Sequence, residues 1–166
     1  MRASTVHQLV RRDLGSLRRE LEAYPSDEAI WSTPPGLPNS AGVLVRHLCG
    51  NLRHYFGAVL GHTGYVRQRD LEFSAPPVSR AALLALIAET ERDVLPVLAE
   101  LRDAQLTGDF PEPQGGRVYE AADYVAHLVM HLGYHLGQID YHRRTLTASR
   151  GSVGALNSFE LPFRPA

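Results

Sequence analysis

Apolar residues recur at steps of three and four along four long stretches of the chain, with charged and polar residues between them, which is the signature of amphipathic helices. The first stretch, about 4–24, carries Val6, Leu9, Val10, Leu14, Leu17 and Leu21 and is stopped by Pro25. The second, about 40–60, carries Leu44, Leu48, Leu52, Tyr55 and Val59, with Asn39 or Ser40 placed to cap its start and Gly61 at its end. The third begins after Ser79 and runs to about Ala104, with Leu83, Leu86, Ile87, Thr90, Val94, Val97, Leu98 and Leu101 on one face. Pro96 lies inside it and predicts a kink or a short break. The fourth, about 120–146, carries Val125, Leu128, Val129, Leu132, Leu136 and Ile139. Four such helices predict an all-α four-helix bundle.

The connections are longer than a simple up-down bundle needs. The segment between Gly61 and Val78 can cover the length of the bundle at ~3.3 Å per residue, which allows the second and third helices to run parallel. The loop "LTGDFPEPQGGRVY" reads as a small hairpin or an irregular loop. The tail is Gly- and Ser-rich and then apolar at Phe159, Leu161 and Phe163, which predicts an extended strap on the surface.

A chain of 166 residues with 44% hydrophobic residues suits one domain spanning 1–166. Seventeen basic residues against eighteen acidic ones leave no excess to neutralise phosphates, which excludes a nucleic-acid binder of the ordinary basic kind. The single cysteine, Cys49, allows no intrachain disulfide. No stretch approaches the ~20 apolar residues of a membrane span, and the N-terminus lacks a signal-peptide core. The expectation is a soluble cytoplasmic protein.

The chemistry lies in the histidines. Six of the eight fall in the second and fourth helices, and the fourth holds "HLVMHLGYHLGQ", with His127, His131 and His135 at four-residue spacing. On a wheel of ~100° per residue, His135 borders the apolar face, His131 lies ~40° further out and His127 ~40° beyond that. Side chains four residues apart are ~5–6 Å apart at Cβ, so His131 and His135 form a pair able to share one ion. His142 is two turns past His135, about 10 Å along the axis, too far to join them. Two ligands hold an ion loosely, so a third is expected from a facing helix. The second helix offers His47 and His54, which share a wheel sector with Asn51. There is no Glu between His131 and His135, so a zinc-protease reading is unsupported.

The last helix's "HLVMHLGYHLGQI", together with "VLVRHLCGN" in the second helix, resembles the DinB-like superfamily of four-helix-bundle metalloproteins over nearly the whole chain. The resemblance implies an up-down-down-up bundle and one divalent metal ion per chain. It selects His47, with His131 and His135, as the metal ligands, and leaves His127 outside them. It also implies a homodimer and a small-molecule substrate. Among the activities of that family are thiol S-transferases using bacillithiol or mycothiol, maleylpyruvate isomerases and hydrolases. A metal-dependent thiol S-transferase acting on a small electrophile is the leading expectation. A hydrolase of a small ester or amide, or a metal-binding stress-related protein without turnover, are the alternatives.

Three neutral imidazoles leave a divalent ion its full charge and an open position, as catalytic sites do. Such an ion lowers the pKa of bound water or thiol. Ligand type admits Zn, Ni, Fe or Co, with Zn or Ni expected first. Asn51 and Gln138 are placed to orient ligands or to serve as structural amides. Arg67 and Arg69 read as solvated loop charges, or as binders of an acidic cosubstrate. Cys49 reads as a small packing residue and Tyr134 and Trp31 as core or interface.

Overall fold

The computed structural model describes residues 1–162. Its four long helices are α1 (Ala3–Glu22), α3 (Ala41–Leu52, continued as a π-helix over Arg53–Leu60), α5 (Arg80–Glu100) and α6 (Ala121–Thr147). Two short helices lie in the connections, α2 (Asp27–Trp31) and α4 (Arg69–Ser74). The caps are those the sequence offers: the hydroxyls of Ser40 and Ser79 accept hydrogen bonds from the amides of Val43 and Ala82.

Pairings between helices fix their directions. Arg80 donates to the carbonyls of Glu22 and Tyr24, Arg18 pairs with Glu91, and the Ala3 amide reaches Asp103, so α1 and α5 are antiparallel. Arg53 bonds Glu89 and Asp93, and Gly61 lies against Val97, so α3 and α5 are parallel. His47 meets His131 and Tyr55 meets Tyr124, so α3 and α6 are antiparallel. Glu20 pairs with Arg143 near the C-terminal ends of both α1 and α6. The bundle is therefore up-down-down-up, with the long 61–78 connection returning the chain to the top of α5.

One contiguous core joins all four helices. Val6, Val10, Leu14, Leu17 and Leu21 of α1 are buried with Leu44, Leu48 and Leu52 of α3, Leu83, Ile87, Val94 and Leu98 of α5, and Val125, Leu128, Leu132, Leu136 and Ile139 of α6. Two details depart from the sequence expectation. Beyond Leu52 the i→i+5 winding turns the α3 face, so that Phe56 is fully buried while Tyr55 and Val59 are only partly so. α5 also runs unbroken through Pro96. Pro96 lies on the exposed side, where water can satisfy the carbonyl that loses its intrahelical donor.

The loop before α6 forms no strand. Its bridges Asp109–Glu120 and Gln114–Arg117 are isolated, and Gly115 and Gly116 turn between them at φ of 57° and 77°. The tail contains a 3-10 turn at Ser158–Glu160, and polar contacts hold it to α1: Arg19 donates to the carbonyls of Val153 and Gly154 and pairs with Glu160. Phe159, expected to pack, is 90% exposed. Phe163 lies outside the described residues. No helix among the described residues is long and apolar enough to cross a membrane.

Candidate metal centre

α3 and α6 are adjacent in the bundle, and the imidazoles on the borders of their buried faces converge. His131 occupies the middle: its Nε2 lies 3.1 Å from Nε2 of His47 and 3.1 Å from Nε2 of His135. One nitrogen from each of the three rings falls within 4.8 Å of the others. Nitrogens bound to one tetrahedral zinc at ~2.0–2.1 Å would be ~3.4 Å apart, so this donor set fits a small divalent ion with little rearrangement.

The outer nitrogens explain why the inner ones point inward. His47 Nδ1 lies 2.9 Å from Glu72 Oε2, and His135 Nδ1 lies 2.6 Å from Gln138 Oε1. Both oxygens accept, so both rings donate from Nδ1 and turn Nε2 toward the centre. This arrangement of ligand, imidazole and hydrogen-bond acceptor is the usual device for fixing the tautomer and orientation of a metal-binding histidine.

Glu72 is itself held. Arg67 donates from Nε to Oε1 at 2.7 Å and from Nη2 to Oε2 at 2.9 Å, a two-pronged clamp. Burial opposes ionisation of Glu72, but the bonds from Arg67 and His47 outweigh it and keep the carboxyl below its ordinary value. Burial acts unopposed by any partner on His131, whose pKa is pushed down to about 4, with the neighbouring histidines adding to the shift. Burial lowers His135 too, against the Gln138 hydrogen bond. Neutral imidazoles at pH 7 are the form that binds metals.

The other candidates lie elsewhere. His54 sits seven residues beyond His47, about 10 Å along the axis, where it bonds Glu112 at 3.0 Å and packs on Tyr55. His127 is exposed, its ring tilted between those of Tyr124 and His131. His142 is a buried structural residue that donates to the Ser32 carbonyl at 2.9 Å and meets the Tyr24 hydroxyl at 2.8 Å. Gln138 supports His135 directly. Arg67, read from the sequence as a loop charge, is largely buried and bound to Glu72, so it is not free for an acidic cosubstrate. Arg69 is exposed, over the Phe73 ring. Tyr134 is exposed, while Trp31 packs on Gly42 and under Arg46. Cys49 is fully buried, and burial raises its thiol to about 12, which makes it an inert packing residue.

Glu72 is the site residue the sequence does not announce, because its partner lies 25 positions away and the intervening loop has no periodicity. Its trace is Gly50, where a Cβ would lie 2.1 Å from Glu72 Oε1. Gly50→Ala is therefore expected to push the carboxylate off His47 and weaken zinc binding about tenfold, within the ~10–100-fold that loss of such a partner costs. Chelator competition on the variant measures this; an unchanged affinity would show that Glu72 is dispensable.

Comparison with known families adds one finding. The model of the DinB superfamily matches residues 9–139. No curated protein matches the chain. No solved structure matches it either.

Proposed function

Because the chain belongs to the DinB superfamily, we propose that His47, His131 and His135 hold one divalent metal ion, zinc or nickel, and that the protein uses it to transfer a low-molecular-weight thiol to a small electrophile. The observation that carries this reading is the donor set: three imidazoles converge, and the carboxylate beside them is already committed. An ion bound there supplies the Lewis acidity that lets a thiol lose its proton near neutral pH.

The chain's own contribution is to hold the three rings. Glu72 and Gln138 fix two of them, and Phe73, with its ring 5.1 Å from that of His47, covers one side. Glu72 cannot serve as a free general base, since both its oxygens are bound and its pKa is depressed. A thiol deprotonated by coordination needs no such base, which favours thiol transfer over a hydrolysis that relies on a carboxylate.

The metal-loaded protein is expected to consume bacillithiol, mycothiol, glutathione or cysteine in the presence of monochlorobimane faster than the metal-stripped protein. Absence of metal-dependent consumption of all four thiols would refute the transferase. Turnover of p-nitrophenyl acetate by the metal-loaded protein without thiol would replace it with a hydrolase.

A further inference from the structure

Two of the three rings have a partner on Nδ1, and the third does not. His131 Nδ1 is buried and makes no hydrogen bond. Among the described residues four buried side-chain atoms share this condition, and another of them is Asn51 Oδ1. Asn51 is 7% exposed and lies one turn after His47 on α3.

The antiparallel packing brings these two orphans to one level. His47 on α3 is level with His131 and His135, and Tyr55 is level with Tyr124, so Asn51 lies opposite the turn just N-terminal to His131. Helical side chains lean toward the N-terminus of their own helix, which carries His131 toward that level and Asn51 back toward His47. A buried donor or acceptor without a partner is costly, so two within one polar layer are expected to be satisfied together.

Resting on the metal reading above, we infer that Asn51 is the positioning residue for His131, its amide linked to Nδ1 through one bridging water. The residue type fits the task. When Nε2 binds a metal, Nδ1 must carry the proton and needs an acceptor, which the water provides while donating to the amide oxygen. When no metal is bound, His131 Nε2 can donate to His47 or His135, Nδ1 becomes an acceptor, and the amide can turn its NH2 toward the water. Asparagine thus serves both tautomers, aspartate serves the first, and leucine neither.

The test is zinc affinity by chelator competition on the parent, Asn51→Leu and Asn51→Asp, with histidine 15N spectra of the zinc-loaded proteins. Asn51→Leu is expected to lower affinity ~10–100-fold, while Asn51→Asp binds at least as tightly as the parent. A slowly exchanging His131 Nδ1 proton is expected in the parent and in Asn51→Asp. Parent-like affinity in Asn51→Leu, weakened binding in Asn51→Asp, or a rapidly exchanging Nδ1 proton in the zinc-loaded parent would overturn the inference while leaving the metal site standing. A parent that takes up no zinc overturns both.

Discussion

Alanine in place of His131 is expected to leave a folded protein that no longer retains a metal. His131 is the middle member of the triad, 3.1 Å from each of the other two Nε2 atoms, so its removal leaves His47 and His135 with a gap between them rather than a shortened site. The loss should exceed the ~10–100-fold that follows from deleting a supporting hydrogen bond, because a ligand itself is gone. Folding should be spared. The ring is only partly buried and burial disfavours its charged form, so the metal-free protein gives up little by losing it. Mass spectrometry of protein purified without an affinity tag, before and after the substitution, reads the metal, and circular dichroism of the variant reads the fold. Near-stoichiometric Zn or Ni in the parent and its absence in a folded variant is the expected pair of results. A parent that arrives metal-free and takes up neither ion would reduce the histidine row to a polar seam between two helices.

The His131–His135 pair was legible because helical periodicity is a local property. His131 and His135 share a turn, so one wheel places both at the edge of the buried face whatever the partner helix is. The third histidine needed more. His47 and His54 share a wheel sector, and only the vertical alignment of α3 against α6 separates them, which is a tertiary fact. The resemblance supplied His47, and the structure brings that residue to the other two. Glu72 and Arg67 were out of reach for a different reason. They sit in a connection without periodicity, and what brings them to His47 is the space left by Gly50. The same limit applies to Phe56, since nothing in the sequence marks the change to π winding after Leu52.

Arg143→Ala is expected to destabilise the fold by ~3–5 kcal/mol, the usual consequence of leaving one member of a buried ion pair without its partner. For a chain of this length that is a fall in Tm of roughly 10 °C, readable by calorimetry on the metal-free protein. Glu20 is completely buried and Arg143 3% exposed at its side chain, and they meet at 2.6 Å between α1 and α6. Arg143 also bonds Asp140, but Asp140 keeps Arg144 when Arg143 is lost, so the uncompensated charge is that of Glu20. The pair is not optimal for stability as such: Glu20 Oε1 is buried and unpartnered, and both ions have left water. Replacing both together, Glu20→Leu with Arg143→Met, should therefore return stability to within ~1 kcal/mol of the parent or above it. If the double variant is as unstable as the single one, packing around Arg143 rather than its charge is what matters. What a directional pair supplies that leucine and methionine do not is register. It lies two turns beyond His135 on the helix that carries two of the three converging imidazoles. A slip of α6 by one turn against its neighbours would move His131 and His135 ~5.4 Å along the axis, beyond the reach of His47.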